Sequence, residues 1–224
     1  MDKDIQSYIF INKLKSLPFV NEIWLFGSCA RGDNDERSDI DIAIICPNIT
    51  DQEWLEVMSI IENADTLLKI DCVRFESTKI SSELYKNILK EKKLYMSKIN
   101  LKLEKFHKAF MTLEDIYLKP TTEDRAYIDA TIQRFELTFE LAWKFLKEYF
   151  SQKGTVLHYP KEVIKKEAFV AGIINDESLW IYMLTDRNMT SHTYDKKLAD
   201  EIYNRIRNYV PELKKLLNII DLKI

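Results

Sequence analysis

The spacing of apolar positions changes character near residue 97. In residues 4–15 (DIQSYIFINKLK), Ile5, Ile9 and Leu14 recur at helical intervals, which predicts a first amphipathic helix. Residues 22–26 (EIWLF) predict a strand ending at Gly27. Residues 39–46 (DIDIAIIC) alternate acid and apolar, then become wholly apolar. That is the pattern of a strand wetted on one face at its start. A helix is predicted from Asp51 to about Leu68, a third strand over 69–75 (KIDCVRF) and a further helix over 79–94.

Beyond residue 97 no β-rich run recurs. Residues 98–118, 123–150, 160–172, 176–194 and 196–220 all carry helical spacing. The stretch 131–150 is dense in large apolar groups, as a central bundle helix requires, and Gly154 falls in the loop after it. Pro120, Pro160 and Pro211 are expected at helix starts or breaks. The pattern predicts an α/β unit over 1–97 joined to an all-helical unit over 98–224. No Gly/Ser linker separates them, and the helix near 98–118 can itself form the connection.

Composition narrows this little. The chain has 224 residues, 46% hydrophobic and 31% charged, so a buried core is expected and disorder is not. Only four glycines and five prolines occur, which favours long regular elements. The net charge is −3 and neither half is strongly basic, so an RNA contact would need a local patch. The three cysteines, Cys29, Cys46 and Cys72, make no CxxC pair, which disfavours a disulfide framework or a zinc site. The N-terminus lacks the basic-then-apolar pattern of a signal peptide, and no apolar run reaches the ~18 residues of a membrane span. The expected location is the cytoplasm, with no membrane partner.

Candidate chemistry concentrates between residues 27 and 71. Gly27 follows a strand and precedes a short turn, so the backbone there can approach a phosphate, with Ser28 adding a hydroxyl. Asp39 and Asp41 are two apart on a strand and share a face. Side-by-side carboxylates call for a cation, and oxygen ligands suit Mg²⁺. Asp71, on the next predicted strand, can complete a three-carboxylate cluster able to hold two metals.

The string G-S-x-x-R-G-x5-S-D-x-D resembles the minimal nucleotidyltransferases of the DNA polymerase β superfamily. The resemblance covers roughly residues 1–97 and implies a small mixed sheet with helices. It implies transfer of a nucleoside monophosphate from an NTP, favouring ATP, with two Mg²⁺ ions. Gly27 and Ser28 would hold the triphosphate, Asp39 and Asp41 the metal, and Asp71 would be third ligand or general base. Arg31 and Ser38 are further nucleotide-binding candidates. Arg31 has an alternative, an ion pair with the Asp33–Glu36 cluster.

A second constellation lies at Arg187, His192 and Tyr194. On a continuous helix Arg187 and Tyr194 would share a face, whereas Arg187 and His192 would stand about 140° apart. A kink or a second copy of the chain would be needed to join them. His192 can act as acid or base and Arg187 can steady a phosphate, a pairing suited to metal-independent RNA cleavage. Packing of a helix junction is the alternative. The helical unit, over roughly 100–220, resembles HEPN domains of the nucleotidyltransferase substrate-binding branch. Gln133-Arg134-Phe135-Glu136, Glu140, Trp143-Lys144, Asn188 and R-x4-H-x-Y carry that resemblance. It implies a homodimer whose Arg187 and His192 meet at the interface and cleave RNA. In HEPN/MNT toxin–antitoxin pairs it further implies AMP addition to the motif tyrosine, here Tyr194. Glu136 and Glu140, one turn apart, either join that site or form an ion-paired face. Two other functions remain open from sequence: an aminoglycoside-type nucleotidyltransferase with the bundle as substrate-binding domain, and a HEPN ribonuclease regulated by the transferase half.

Overall fold

A computed structural model describes residues 8–35, 37–78, 82–119, 124–192 and 195–221, with the His192 side chain outside the description. The chain divides into two units, Met1–Leu101 and Lys102–Ile224.

The first unit is a four-stranded mixed sheet in the order β3-β2-β1-β4. Helix α1 (Ile9–Ser16) leads into β1 (Glu22–Leu25), the short α2 (Gly27–Arg31), β2 (Ile40–Ile45), α3 (Asp51–Glu62), β3 (Ile70–Arg74), α4 (Glu83–Glu91) and β4 (Lys93–Ser97). β1 runs antiparallel to β2 and β4, while β2 and β3 are parallel. The period of two in β2 sends Ile40, Ile42 and Ile44 to a core shared with Phe10, Leu14, Val57 and Ile61. Ala43 faces the other side, with Trp24, Phe26 and Ile88. Asp41 shares this second face, at the wet start of the strand.

Local chemistry sets the helix ends. Thr50 and Glu53 form a reciprocal capping box at α3. The α1 N-terminus is closed from afar: the Ile9 and Phe10 N–H groups donate to Asp65 at 2.9 and 3.0 Å. The helix expected over 51–68 stops at Glu62, and the one expected over 79–94 yields its end to β4.

The second unit is helical among its described residues. It takes up the bulk of α5 (Lys98–Tyr117), then α6 (Arg125–Ser151), α7 (Pro160–Glu162) running into a π-helical turn (Val163–Ala168), α8 (Glu177–Met189), a 3₁₀ turn (Thr190–His192) and α9 (Lys196–Asp221). The long α6 is the central element. Its fully buried Phe135 stands 5.2 Å from the Tyr209 ring on α9, and Phe139 stands 6.0 Å from Trp180 on α8. Each such aromatic contributes about 2–3 kcal/mol of burial. Pro160 starts a helix as expected, but Pro211 lies inside α9 rather than at a break. Buried Tyr209, Val210, Leu213, Leu216 and Leu217 flank it, so packing outweighs the missing hydrogen bond. Pro120 lies outside the described residues.

Candidate active site

Three elements of the first unit end together. β1 delivers Gly27 at its C-terminal end, and the Phe26 N–H donates to the Asp41 carbonyl at 3.1 Å. β2 begins at Ile40, directly after Asp39, and the Cys29 thiol lies 3.3 Å from the Asp39 carbonyl. β3 begins at Ile70, and its register sets Asp71 beside Asp41. Gly27 has φ +62°, a conformation that side chains rarely adopt. A Cβ there would run into Asp41 Oδ2 and stand 3.0 Å from Cγ. The glycine is therefore a steric condition for the carboxylate's position.

The electrostatics follow. Asp41 titrates above the ordinary carboxylate range, because burial disfavours its charge and Asp71 and Asp39 add like charge. Lys69 and Arg31 oppose this. Asp71 accepts a hydrogen bond from Lys69 at 2.7 Å. Among the described residues no group of three His, Cys, Asp or Glu side chains stands at metal-holding distance. The three carboxylates thus share one sheet edge and one field without forming a closed cage. Burial pushes the thiols of Cys72, next to Asp71, and of Cys46, after the far end of β2, up to about 12.

Two motif residues are engaged elsewhere. Arg31 pairs with Asp33 at 3.2 Å and with Glu91 of α4 at 2.8 Å. Ser38 Oγ accepts from the Asp35 N–H at 2.8 Å and donates to Asp35 Oδ1 at 3.1 Å, closing a turn.

In the second unit Arg187 and Glu140 meet. Arg187 Nη2 lies 2.8 Å from Glu140 Oε2, which also accepts from the Trp143 indole N–H at 2.9 Å. Burial pushes the Glu140 carboxyl up, but Trp143, Lys144 and Arg187 together outweigh it and hold it below its usual range. Arg187 Nε is buried and, among the described residues, has no hydrogen-bond partner. Glu136 is half-buried. The backbone after Met189 turns into a 3₁₀ segment through His192. The His192 side chain and Tyr194 lie outside the described residues.

The motif reading missed the residue next to Arg187. Asp186 is buried, accepts two bonds from Arg205 at 2.8 and 2.9 Å, and takes a third from the Tyr209 hydroxyl at 2.6 Å. Burial and Asp186 push the Tyr209 phenol well up. Consecutive residues thus tie α8 to different neighbours, Asp186 to α9 and Arg187 to α6. The signal was present in D-R-N, where a charged residue precedes the motif arginine inside an apolar helix.

Residues 101–221 match the family described as nucleotidyltransferase substrate binding protein like. The chain belongs to that family. Residues 10–100 match the Polymerase beta nucleotidyltransferase family, so a nucleotidyltransferase domain precedes the substrate-binding, HEPN-like domain. Over 104 residues the chain is 33% identical to "Probable ribonuclease HepT" of Haemophilus influenzae, covering 45% of this chain and 71% of the relative. A solved protein from Thermus thermophilus is 34% identical over 50% of this chain and 96% of its own, with TM-score 0.47. A Haemophilus influenzae structure, reported to reveal the fold of a substrate-binding domain of a nucleotidyltransferase, is 28% identical over 53% of this chain and 98% of its own, with TM-score 0.47. No described helix is long and apolar enough to cross a membrane.

Proposed function

We propose that the first unit transfers AMP from ATP to a hydroxyl acceptor. The proposed acceptor is Tyr194, in the same or another copy of the chain, in a system of the HEPN/MNT toxin–antitoxin kind. The observation that carries the reading is the parallel register setting Asp41 beside Asp71, against a glycine whose missing Cβ makes room for the Asp41 carboxylate. The Polymerase beta match over residues 10–100 supports it.

The donor set suits Mg²⁺. Its oxygens are hard, burial and then the like charges of Asp71 and Asp39 raise Asp41, and Mg²⁺ ordinarily takes one or two carboxylates and leaves the rest to phosphates and water. Asp39, Asp41 and Asp71 would hold it, with two ions in the full arrangement. Bound there, it supplies charge neutralisation at the α-phosphorus and the departing pyrophosphate. The chain does the rest. Ser28 Oγ and the N–H groups at the start of α2 bind phosphate oxygens. The acceptor oxygen attacks the α-phosphorus, the bond from that phosphorus to the α–β bridging oxygen breaks, and pyrophosphate leaves. The Asp71 carboxylate takes the hydroxyl proton. Arg31 and Ser38 stay proposed as further nucleotide contacts, since the bonds that hold them to Asp33, Glu91 and Asp35 are exposed.

Intact-mass analysis of the purified chain with ATP and Mg²⁺ tests this, with peptide mapping of the product. Gain of one or more AMP units on Tyr194, lost in the Asp39→Ala/Asp41→Ala double variant, is expected. Labelling that survives the double variant overturns the assignment.

A second reading, RNA cleavage by Arg187 and His192 across a homodimer of the helical unit, is supported by the relative named as a ribonuclease. It expects RNA cleavage that is lost in His192→Ala. A strictly monomeric, RNA-inert protein contradicts it.

A further inference from the structure

Lys69 has no place in the sequence motif, yet it completes the carboxylate edge. β2 and β3 run in register, with Ile40 beside Ile70 and Asp41 beside Asp71. One step back along both strands brings Asp39 beside Lys69, where the Ile40 N–H donates to the Lys69 carbonyl at 2.9 Å. The strand period of two sends Asp39, Asp41, Lys69 and Asp71 to one face. The result is a patch of three carboxylates acting on one ammonium. Lys69 Nζ donates to Asp71 Oδ2 at 2.7 Å, and Asp39 and Asp41 attract the same ammonium through space. This pairing gives a physical reason why the three acids do not converge: the lysine supplies positive charge locally and keeps one Asp71 oxygen for itself.

The pair is also easy to open. Its side chains are 65% and 45% exposed, and exposed ion pairs are weak. The Asp186–Arg205 pair in the second unit is the opposite case, with a buried carboxylate held by three bonds.

We propose that Lys69 is a built-in counter-cation: its ammonium holds Asp71 in the metal-free protein, yields Asp71 when a divalent cation binds, and then pairs with the triphosphate. The proposal rests on the transferase reading above. Its consequence is a coupling. Lys69 opposes the metal when no nucleotide is present, because it competes for Asp71 and repels the ion. With a triphosphate bound, the released ammonium gains an anionic partner, so metal and nucleotide strengthen each other's binding reciprocally.

Calorimetric titration of the full chain with Mn²⁺, with and without a non-hydrolysable ATP analogue, tests it. Lys69→Gln is expected to bind Mn²⁺ alone about 3- to 10-fold more tightly than the unaltered chain. The factor by which the analogue tightens Mn²⁺ binding should shrink by a similar amount. Lys69→Arg, which keeps the charge, should stay within about 2-fold of the unaltered chain. Unchanged or weaker Mn²⁺ binding in Lys69→Gln overturns the proposal, as does a Lys69→Arg variant that behaves like Lys69→Gln. Asp41→Ala separates the two levels. If it leaves Mn²⁺ binding intact, the metal assignment itself falls and Lys69's role falls with it. If it abolishes binding while Lys69→Gln changes nothing, only Lys69's role is lost.

Discussion

Replacing Gly27 with alanine isolates the fit between the loop and Asp41. Gly27 has φ +62°, and an added Cβ meets the Asp41 carboxylate. Gly32 is the matched control, with φ +81° and nothing within 4 Å of an added Cβ. Each alanine carries a left-handed backbone penalty of about 1 kcal/mol. At Gly27 the carboxylate must also leave its rotamer, adding about 1 kcal/mol. Gly27→Ala should therefore destabilise the first unit by about 2 kcal/mol and Gly32→Ala by about 1 kcal/mol. A double-mutant cycle isolates the contact between the added Cβ and the carboxylate. In an Asp41→Ala background the obstructing carboxylate is gone, so Gly27→Ala should lose about 1 kcal/mol of its effect. Transfer separates the glycines further: misplacing Asp41 by about 1 Å lowers the rate about 100-fold, while Gly32→Ala leaves it near normal. Urea unfolding of the four cycle members and AMP transfer by the two glycine variants are the measurements. Equal destabilisation by Gly27→Ala with and without Asp41 refutes the steric argument, as does equal loss of transfer in both glycine variants.

Three further outcomes follow from the charges. Asp41's folded pKa is raised by burial, then by Asp71 and Asp39, so its contribution to stability is complete below the unfolded pKa and is lost as pH rises through the folded one. Asp41→Asn should accordingly raise the Tm of the metal-free protein at pH 7 while abolishing transfer; a lowered Tm contradicts this. Glu140 has the opposite sign: its folded pKa is depressed, so its contribution is present above the unfolded pKa and lost as pH falls through the folded one. Glu140→Gln should be less stable than the unaltered chain at pH 7, and urea titrations should show the gap closing below about pH 4. Asp186→Ala leaves the buried Tyr209 hydroxyl without its acceptor and removes two bonds from Arg205, and should destabilise the second unit by about 3 kcal/mol, against about 1–2 kcal/mol for Tyr209→Phe, both read by urea unfolding.

Strong periodicity made β1, β2, β3 and the long helices legible in the sequence. β4 was not. Lys93–Ser97 is a short alternating run between two helices, and its pairing with β1 is a long-range contact that no local pattern announces. It also carries a register irregularity at Ile23/Trp24. α3 ends early because Asn63 and the residues after it favour a turn, and Asp65 is committed to capping α1. At the site, Asp39 and Asp41 were readable from strand alternation and Gly27 from its place after a strand. The partners were not. Lys69 acquires its meaning only through the β2–β3 register, and Glu91 only through its bond to Arg31. Arg205 and Tyr209 are 19 and 23 residues from Asp186, and helix packing alone brings them together.

The central claim is that the carboxylate edge of the first unit moves a nucleoside monophosphate. Incubating the full chain and Mg²⁺ with ATP labelled at the α-phosphate, in parallel with ATP labelled at the γ-phosphate, tests it most directly. The account predicts that α-label enters the protein, that γ-label appears only as pyrophosphate, and that both signals vanish in Asp39→Ala/Asp41→Ala. Incorporation of γ-label, or α-label that persists in the double variant, would contradict it.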